Sequence, residues 1–270
     1  MTKRPLAPVL ACLALVALSA TGLTTAACGK KKNIIPQGIE EADKYLFQRG
    51  NEEAKDKSWS KARTYYQRLV DGYPQSPYRP DAKLGVADTY LGENSTESLV
   101  LAVNEYREFL SFYPTHPRAD YAQYKIAMSH FGKMRTAERD QTETREAIKE
   151  FDLFFERYPT SPMAAEVRTN ARAAKDRLTQ ASVNVGIFYF KARRWYPGAI
   201  QRFREVLAAD PDFTGRDTVY YYMAESLLRS NKKAEAVPYL DRLLKEYPNS
   251  PLVPEARKSF DLAQAPATPK

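Results

Sequence analysis

One spacing governs this chain. A small residue, large apolar residues four and seven positions on, and a proline twelve on occur five times: Ala62/Tyr66/Leu69/Pro74, Ala102/Tyr106/Phe109/Pro114, Ala147/Phe151/Phe154/Pro159, Ala199/Phe203/Val206/Pro211 and Ala236/Leu240/Leu243/Pro248. Offsets of 0, 4 and 7 fall on one face of an α-helix. Proline, with no N–H and a fixed φ, ends that helix. A second proline follows in Pro74-Gln-Ser76-Pro77, Pro114-Thr-His116-Pro117, Pro159-Thr-Ser161-Pro162 and Pro248-Asn-Ser250-Pro251. Proline suits the first turn of a helix and serine an N-cap. Each copy therefore reads as one helix stopped and the next started, with Ser76, Ser161 and Ser250 as caps and His116 the weakest of the four.

Twelve residues before the first and last alanines stand Gly50 and Ala224, small residues on a preceding helix. Small residues let antiparallel helices approach, and the aromatics fill the gap to the next pair. This is the pattern of a helix–turn–helix repeat of roughly 34 residues. The expected fold is all-α: a right-handed array of five tetratricopeptide-like helix pairs, with a long helix linking repeats three and four. The prolines are spaced by 40, 45, 52 and 37 residues, so insertions are expected. A polar loop is placed at Gly92–Ser98, and a charged, solvated loop at Met134–Arg145 with partner contact as its alternative. The widest gap holds Ala164, Val167, Ala171, Ala174, Leu178, Ala181 and Val185 at threes and fours. These predict one helix from Met163 to about Lys191, with Gly186 as a kink point.

The N-terminus carries a different signal. Lys3 and Arg4 precede an apolar run, and Thr24-Thr25-Ala26-Ala27-Cys28 supplies a small-residue cleavage site. Residues 1–27 read as an export signal, whose loss takes the formal charge from +8 to +6. Cys28 is then the sole cysteine and, after Ala-Ala, resembles the lipidated cysteine of bacterial lipoproteins, with Thr25 where Leu is usual. Ordinary secretion with a free cysteine and an uncleaved anchor helix are the other readings. Gly29 is not the aspartate of enteric-type inner-membrane retention, which implies the outer membrane. Lys30–Lys32 suit an anionic headgroup layer or a solvated linker equally. The chain is thus read as a signal peptide (1–27), a lipidated tether (28–40), a repeat domain (41–264) and a disordered tail (265–270).

Catalysis finds little support. The two histidines, His116 and His130, have no cysteine or acid at ligand or triad spacing, and no phosphate-binding glycine loop is present. No catalytic residue, metal site or cofactor is expected. Basic–aromatic runs such as Phe190-Lys-Ala-Arg193-Arg194-Trp195 suit nucleic acid, but export removes that partner. The chain reads as a binding protein.

Four segments carry a family resemblance: Tyr113-Pro-Thr-His-Pro-Arg-Ala-Asp-Tyr121-Ala-Gln-Tyr124, Glu138-Arg-Asp-Gln before Ala147, Lys175-Asp-Arg-Leu178, and Ser182-Val183 through Trp195. Through these, residues 28–262 resemble the BamD family, helical-repeat lipoproteins of the outer-membrane β-barrel assembly machinery. The Asp210-Pro211-Asp-Phe-Thr turn departs from the family's Tyr-Pro. The resemblance implies a scaffold at the periplasmic face of the cell outer membrane, lipid-anchored at Cys28. Its implied partners are the periplasmic domain of the central β-barrel assembly subunit, other assembly lipoproteins and unfolded outer-membrane proteins. It places partner contact on Arg202, nine residues before the turn proline, beside the basic Arg193 and Arg194. Tyr45, Gln48, Glu52, Tyr121 and Tyr124, on first helices, are expected to face clients, with packing between repeats as the alternative for each tyrosine. Another envelope adaptor of the same repeat type, a secretin-assembly lipoprotein or a cell-division coordinator, is the second reading.

Overall fold

All fifteen positions of the repeated small–large–large triplet are buried, from Ala62, Tyr66 and Leu69 to Ala236, Leu240 and Leu243. The computed structural model describes residues 34–265. The signal segment, Cys28, Lys30–Lys32 and residues 266–270 of the tail lie outside them. Residues from Ile39 onward form one unit, all-helical where described: α1 Ala42–Lys55, α2 Trp59–Gly72, α3 Arg79–Glu93, α4 Thr96–Phe112, α5 Ala119–Phe131, α6 Thr142–Arg157, α7 Ala164–Lys191, α8 Tyr196–Ala209, α9 Arg216–Arg229, α10 Lys233–Glu246 and α11 Val253–Gln264. Each odd-numbered helix up to α9 pairs with its successor, and α11 covers the last pair. The first helices α1 and α3, α5 and α7, α7 and α9, and α9 and α11 also touch. First helices therefore gather into an inner layer.

Two of the second-helix aromatics, Tyr66 and Phe203, are seated against glycines. A Cβ added at Gly50 of α1 would stand 2.5 Å from the Tyr66 ring, and one at Gly85 of α3 would stand 2.8 Å from its other edge. The ring is held between two helices, and its hydroxyl donates to Asn51 Oδ1 at 2.7 Å. Gly186 plays the same part for Phe203, whose ring lies 2.5 Å from where a Cβ would be. α7 runs without interruption through Gly186, and there the missing side chain serves close packing.

The serines after the turn prolines are not N-caps. Tyr78, Met163 and Leu252 hold that place, with no side-chain capping bond. Instead Ser76, Ser161 and Ser250 each accept the N–H two residues on. Each also donates, at 2.6 Å, to an aspartate in the first turn of the same pair's first helix: Asp43, Asp120 and Asp217. His116 keeps the first contact, accepting Arg118 N–H at 3.2 Å. Asp81, which stands at the equivalent position in that pair, is 3.6 Å from the Arg118 guanidinium.

Two loops differ from expectation. The polar loop ends early, because Ser95 and Ser98 form a reciprocal capping box that starts α4 at Thr96. The charged insertion is not a free solvated loop. Gln141 donates to Thr136 O and Arg139 O, while Arg177 and Asn184 of α7 hold Arg135 O and Glu138 Oε1, both at 2.9 Å. Elsewhere the turn inside a pair is tight and passes through positive φ, at Lys57, Asn94, Arg194 and Asn231.

Because Gly85 blocks the far side of Tyr66, the ring has nowhere to retreat. Gly50→Ala is expected to lower stability by about 1–3 kcal/mol through overpacking, measured by urea unfolding. Gly72→Ala, where an added Cβ meets nothing within 4 Å, is expected to leave stability unchanged or raised.

Candidate partner-binding cleft

The long helix was read as one continuous apolar stripe, and only its first half is buried that way. Val167, Ala171 and Ala174 join the core of the third pair with Tyr124, Phe151 and Phe154. Val183 joins the core of the fourth and fifth pairs with Ala199, Phe203 and Met223. Between these anchor points the buried face of α7 rotates. Leu178 and Ala181 are half-buried and Val185 is 41% exposed. The cause is length. α7 has 28 residues against 16 in α6 and 14 in α8, and these two pack on α7 rather than on each other. Its middle is left without a covering helix.

What remains is a cleft of about 660 Å3. Leu178, Ser182 and Val185 of α7 line it, with Ile148 of α6 on one side and Arg202, Glu205, Val206 and Ala209 of α8 on the other. A smaller cavity beyond Arg202 and Glu205 is lined by Tyr189, Trp195, Gly198 and Gln201. Leu178, Val185 and Phe188 follow helical spacing along α7. Phe188 and Trp195 are each about half exposed, at 47% and 54%. Trp195 meets the Tyr189 ring edge-on at 5.2 Å.

One end of the cleft is closed by the departing turn. Asp210 stands where Tyr73, Tyr113, Tyr158 and Tyr247 precede the other prolines. The Arg172 guanidinium grips it with both terminal nitrogens, at 2.9 and 2.5 Å, and Thr179 Oγ1 donates at 2.6 Å. Arg172 also reaches Asp176 at 2.9 Å, and Asp176 accepts from Thr214. Burial disfavours the charged Asp210, but the Arg172 pair and the Thr179 hydroxyl outweigh it and hold its pKa below the ordinary carboxylate value. The turn is thereby locked to α7.

Arg202 lies on the rim, 3.0 Å from Glu205, both side chains about half exposed at 48%. Such a pair is worth about 0–1 kcal/mol, so Arg202 is available to a partner at little cost. Arg193 sits 5.5 Å from the Phe188 ring centroid. Arg194 lies in a separate cleft, with Lys191 and Arg229. Arg204 is committed to Glu235 at 3.0 Å.

The expected client-facing residues divide. Tyr45 is half-buried on α1, while Gln48 and Glu52 are exposed there, Glu52 bonded to Arg49. Tyr121 and Tyr124 stand on α5, two pairs along, and α1 makes no packing with that helix. The Tyr121 hydroxyl donates to Asp88 Oδ1 at 2.9 Å, shared with Tyr106 at 2.5 Å, and Arg118 lies 4.6 Å from its ring centroid. Withdrawal from solvent raises the Asp88 pKa despite these hydrogen bonds. Tyr124 is 5% exposed. It donates to Glu166 Oε1 at 2.6 Å and accepts from Asn170 Nδ2 at 2.8 Å, which is the packing alternative.

His130 has a partner the sequence spacing did not reveal: its Nδ1 is 2.8 Å from Glu143 Oε2. Among the described residues no group of three or more His, Cys, Asp or Glu is placed to hold a metal ion. Sequence reasoning took Leu178 and Val185 for core; the telling signal was a helix nearly twice as long as those flanking it.

Comparison with known proteins gives a consistent answer. A family described as outer membrane lipoprotein (YfiO) matches residues 39–216, and a tetratricopeptide repeat matches residues 218–250. The outer membrane protein assembly factor BamD of Caulobacter vibrioides is 26% identical over 224 residues, covering 82% of this chain and 70% of that protein. Its counterpart in Rickettsia prowazekii is 25% identical over 236 residues, covering 87% and 92%. That of Neisseria meningitidis serogroup B is 23% identical over 232 residues, covering 80% and 84%. The resemblance read from the sequence and the repeat fold are both borne out.

With Asp210 ionised in the fold below its ordinary pKa, its contribution is complete at neutral pH and lost as pH falls through the folded-state value. Asp210→Asn is expected to cost about 1–3 kcal/mol at pH 7. That difference should shrink below roughly pH 4. Urea midpoints of both proteins across a pH series measure it.

Proposed function

The chain belongs to the YfiO family of outer membrane lipoproteins, and on that premise we propose that it is an assembly factor for outer-membrane proteins. In this reading it is a scaffold at the periplasmic face, held by lipid on Cys28. It binds the periplasmic domain of the central barrel-forming subunit and receives unfolded clients for folding and insertion, alongside other assembly lipoproteins. The observation that carries the reading is the uncovered middle of α7. An apolar strip ending in Phe188 and Trp195, rimmed by a lightly engaged arginine, has the anatomy of a protein-binding hot spot. Leu178 and Val185 supply apolar area, and Arg202 with Arg193 supplies charge complementary to an acidic partner surface. Clients meet the first-helix layer, where Tyr45, Gln48 and Glu52 share one face of α1 and Tyr121 reaches the edge of α5. A layer of helix pairs offers an extended peptide a continuous inner face. The role is binding, as the name assembly factor carried by the relatives suggests.

Attachment rests on acylation. Among the described residues no helix is long and apolar enough to cross a membrane. Several acyl chains on Cys28 together with Lys30–Lys32 anchor durably where a single chain does not.

Arg202→Glu, correctly folded by helicity and melting, is expected to weaken binding to the partner's periplasmic domain by about tenfold or more. Glu205→Gln breaks the same intramolecular pair and should leave binding intact. Wild-type affinity in Arg202→Glu removes this rim from the contact. For the anchor, Cys28→Ala is expected to move the protein to the soluble periplasmic fraction. Retention on membranes after a high-salt wash, with no acyl group on the native chain by mass spectrometry, refutes lipidation.

A further inference from the structure

Several basic residues near the cleft are engaged by carboxylates. Arg202 pairs with Glu205, and Arg204 and Lys232 with Glu235. The end of α7 gathers others from separate elements. There a cleft of about 340 Å3, apart from the one described above, is lined by Phe190, Lys191, Arg194, Tyr196 and Arg229. Three helices and a turn deliver these residues: α7, α8, α9 and the α7–α8 connection. Lys191 and Arg194 make no ion pair and no side-chain hydrogen bond among the described residues. Arg229 is positioned by rings, its guanidinium 5.3 Å from the Phe190 centroid and 5.8 Å from that of Tyr196. Its one carboxylate neighbour, Glu225, stands 3.8 Å from Nε and is itself held by Ser259 at 2.5 Å. The terminal nitrogens of Arg229 remain free to donate. Lys191 lies 5.1 Å from the Tyr222 ring centroid.

The backbone adds an independent argument. Arg194 has φ +51°, and the equivalent turns place Lys57, Asn94 and Asn231 at positive φ, so two of the four turns hold asparagine there and two a long basic residue. Asparagine tolerates that conformation; an arginine there holds an unfavourable one. The C-terminal dipole of α7 accounts for Lys191. It does not account for Arg229 arriving from α9 beside Arg194.

We propose that the cleft formed by Lys191, Arg194 and Arg229 binds a phosphate group. Two guanidinium forks and an ammonium coming from separate elements suit a tetrahedral oxyanion with several acceptor oxygens better than a planar carboxylate. The group can come from two sources, a free phosphate or the phosphodiester headgroup of an anionic lipid. Trp195, exposed beside Arg194, has the amphipathic character of residues that meet a lipid interface.

Trp195 reports on the site, since it adjoins Arg194 and only Trp59 shares its fluorescence. The full chain carrying Trp59→Phe, in neutral detergent, is titrated with sodium phosphate, with soluble short-chain phosphatidylglycerol, and with sodium chloride at matched ionic strength. A saturable change with a phosphate-bearing ligand and none with chloride is expected. Arg194→Asn should weaken it about tenfold while leaving the melting temperature equal or higher, because asparagine relieves the backbone. Arg229→Gln should weaken it similarly. Equal affinity for both ligands assigns the site to the phosphate group itself, and preference for the lipid assigns it to headgroups. A response no different from chloride, or undiminished binding in the Arg194→Asn/Arg229→Gln protein, overturns the proposal.

Discussion

An aromatic ring pressed onto helix backbone that carries no side chain is the contact on which this array depends. Tyr66 between Gly50 and Gly85, and Phe203 against Gly186, fix how near successive helices stand. Dispersion falls off steeply with distance, so the ring and the bare backbone need each other. Filling either glycine pushes the ring away, and shortening the ring opens a void. The alanine four residues before the large residue, a ring in four copies and Leu240 in the fifth, does the same work within a pair, being fully buried in all five. What looks in the sequence like an alternation of small and large is a set of matched surfaces.

Polar bonds then set the angle between elements that the apolar contacts only bring together. Ser76, Ser161 and Ser250 tie the exit of a pair to the aspartate at its own entrance. Arg79 and Arg216 donate to Tyr113 and Tyr247, the tyrosines that close their own pairs. Where the fourth turn carries Asp210, the arginine again comes from the pair's first helix but from further along it, and the bond reaches across the cleft's end. The same geometric duty is met with a carboxylate in place of the tyrosine hydroxyl, so a neutral acceptor becomes a charged one.

The helices, their order and the triplet core were legible because their periodicities repeat within a few turns of chain. Three things were not. The serines were taken for caps because their true acceptors lie at least 33 residues upstream, a distance no local rule spans. The packing role of Gly186 is not local, because Phe203, against which it lies, belongs to another helix. Leu178 and Val185 were taken for core because periodicity marks which residues share a face and says nothing of whether that face is covered. Tyr121 and Tyr124, three apart on one helix, illustrate the limit. One reaches a shared aspartate at the edge while the other is sealed beneath α7.

The rotation of α7 between its two anchor points bears on how the protein comes apart. The apolar residues collect in three separate clusters, and the cluster holding Tyr124 and Phe151 shares only α7 with that holding Phe203 and Met223. In a repeat array, stability is a sum of units and the interfaces between them. Here the junction between those two clusters is carried largely by the continuity of one helix, backed by the Arg172–Asp210 grip. Amide exchange would see a cooperative block on either side of residues 178–182, each opening with its own free energy. The segment that joins the blocks is also the one that lines the cleft, so an occupant lying along it would clamp the two blocks into a single unfolding unit.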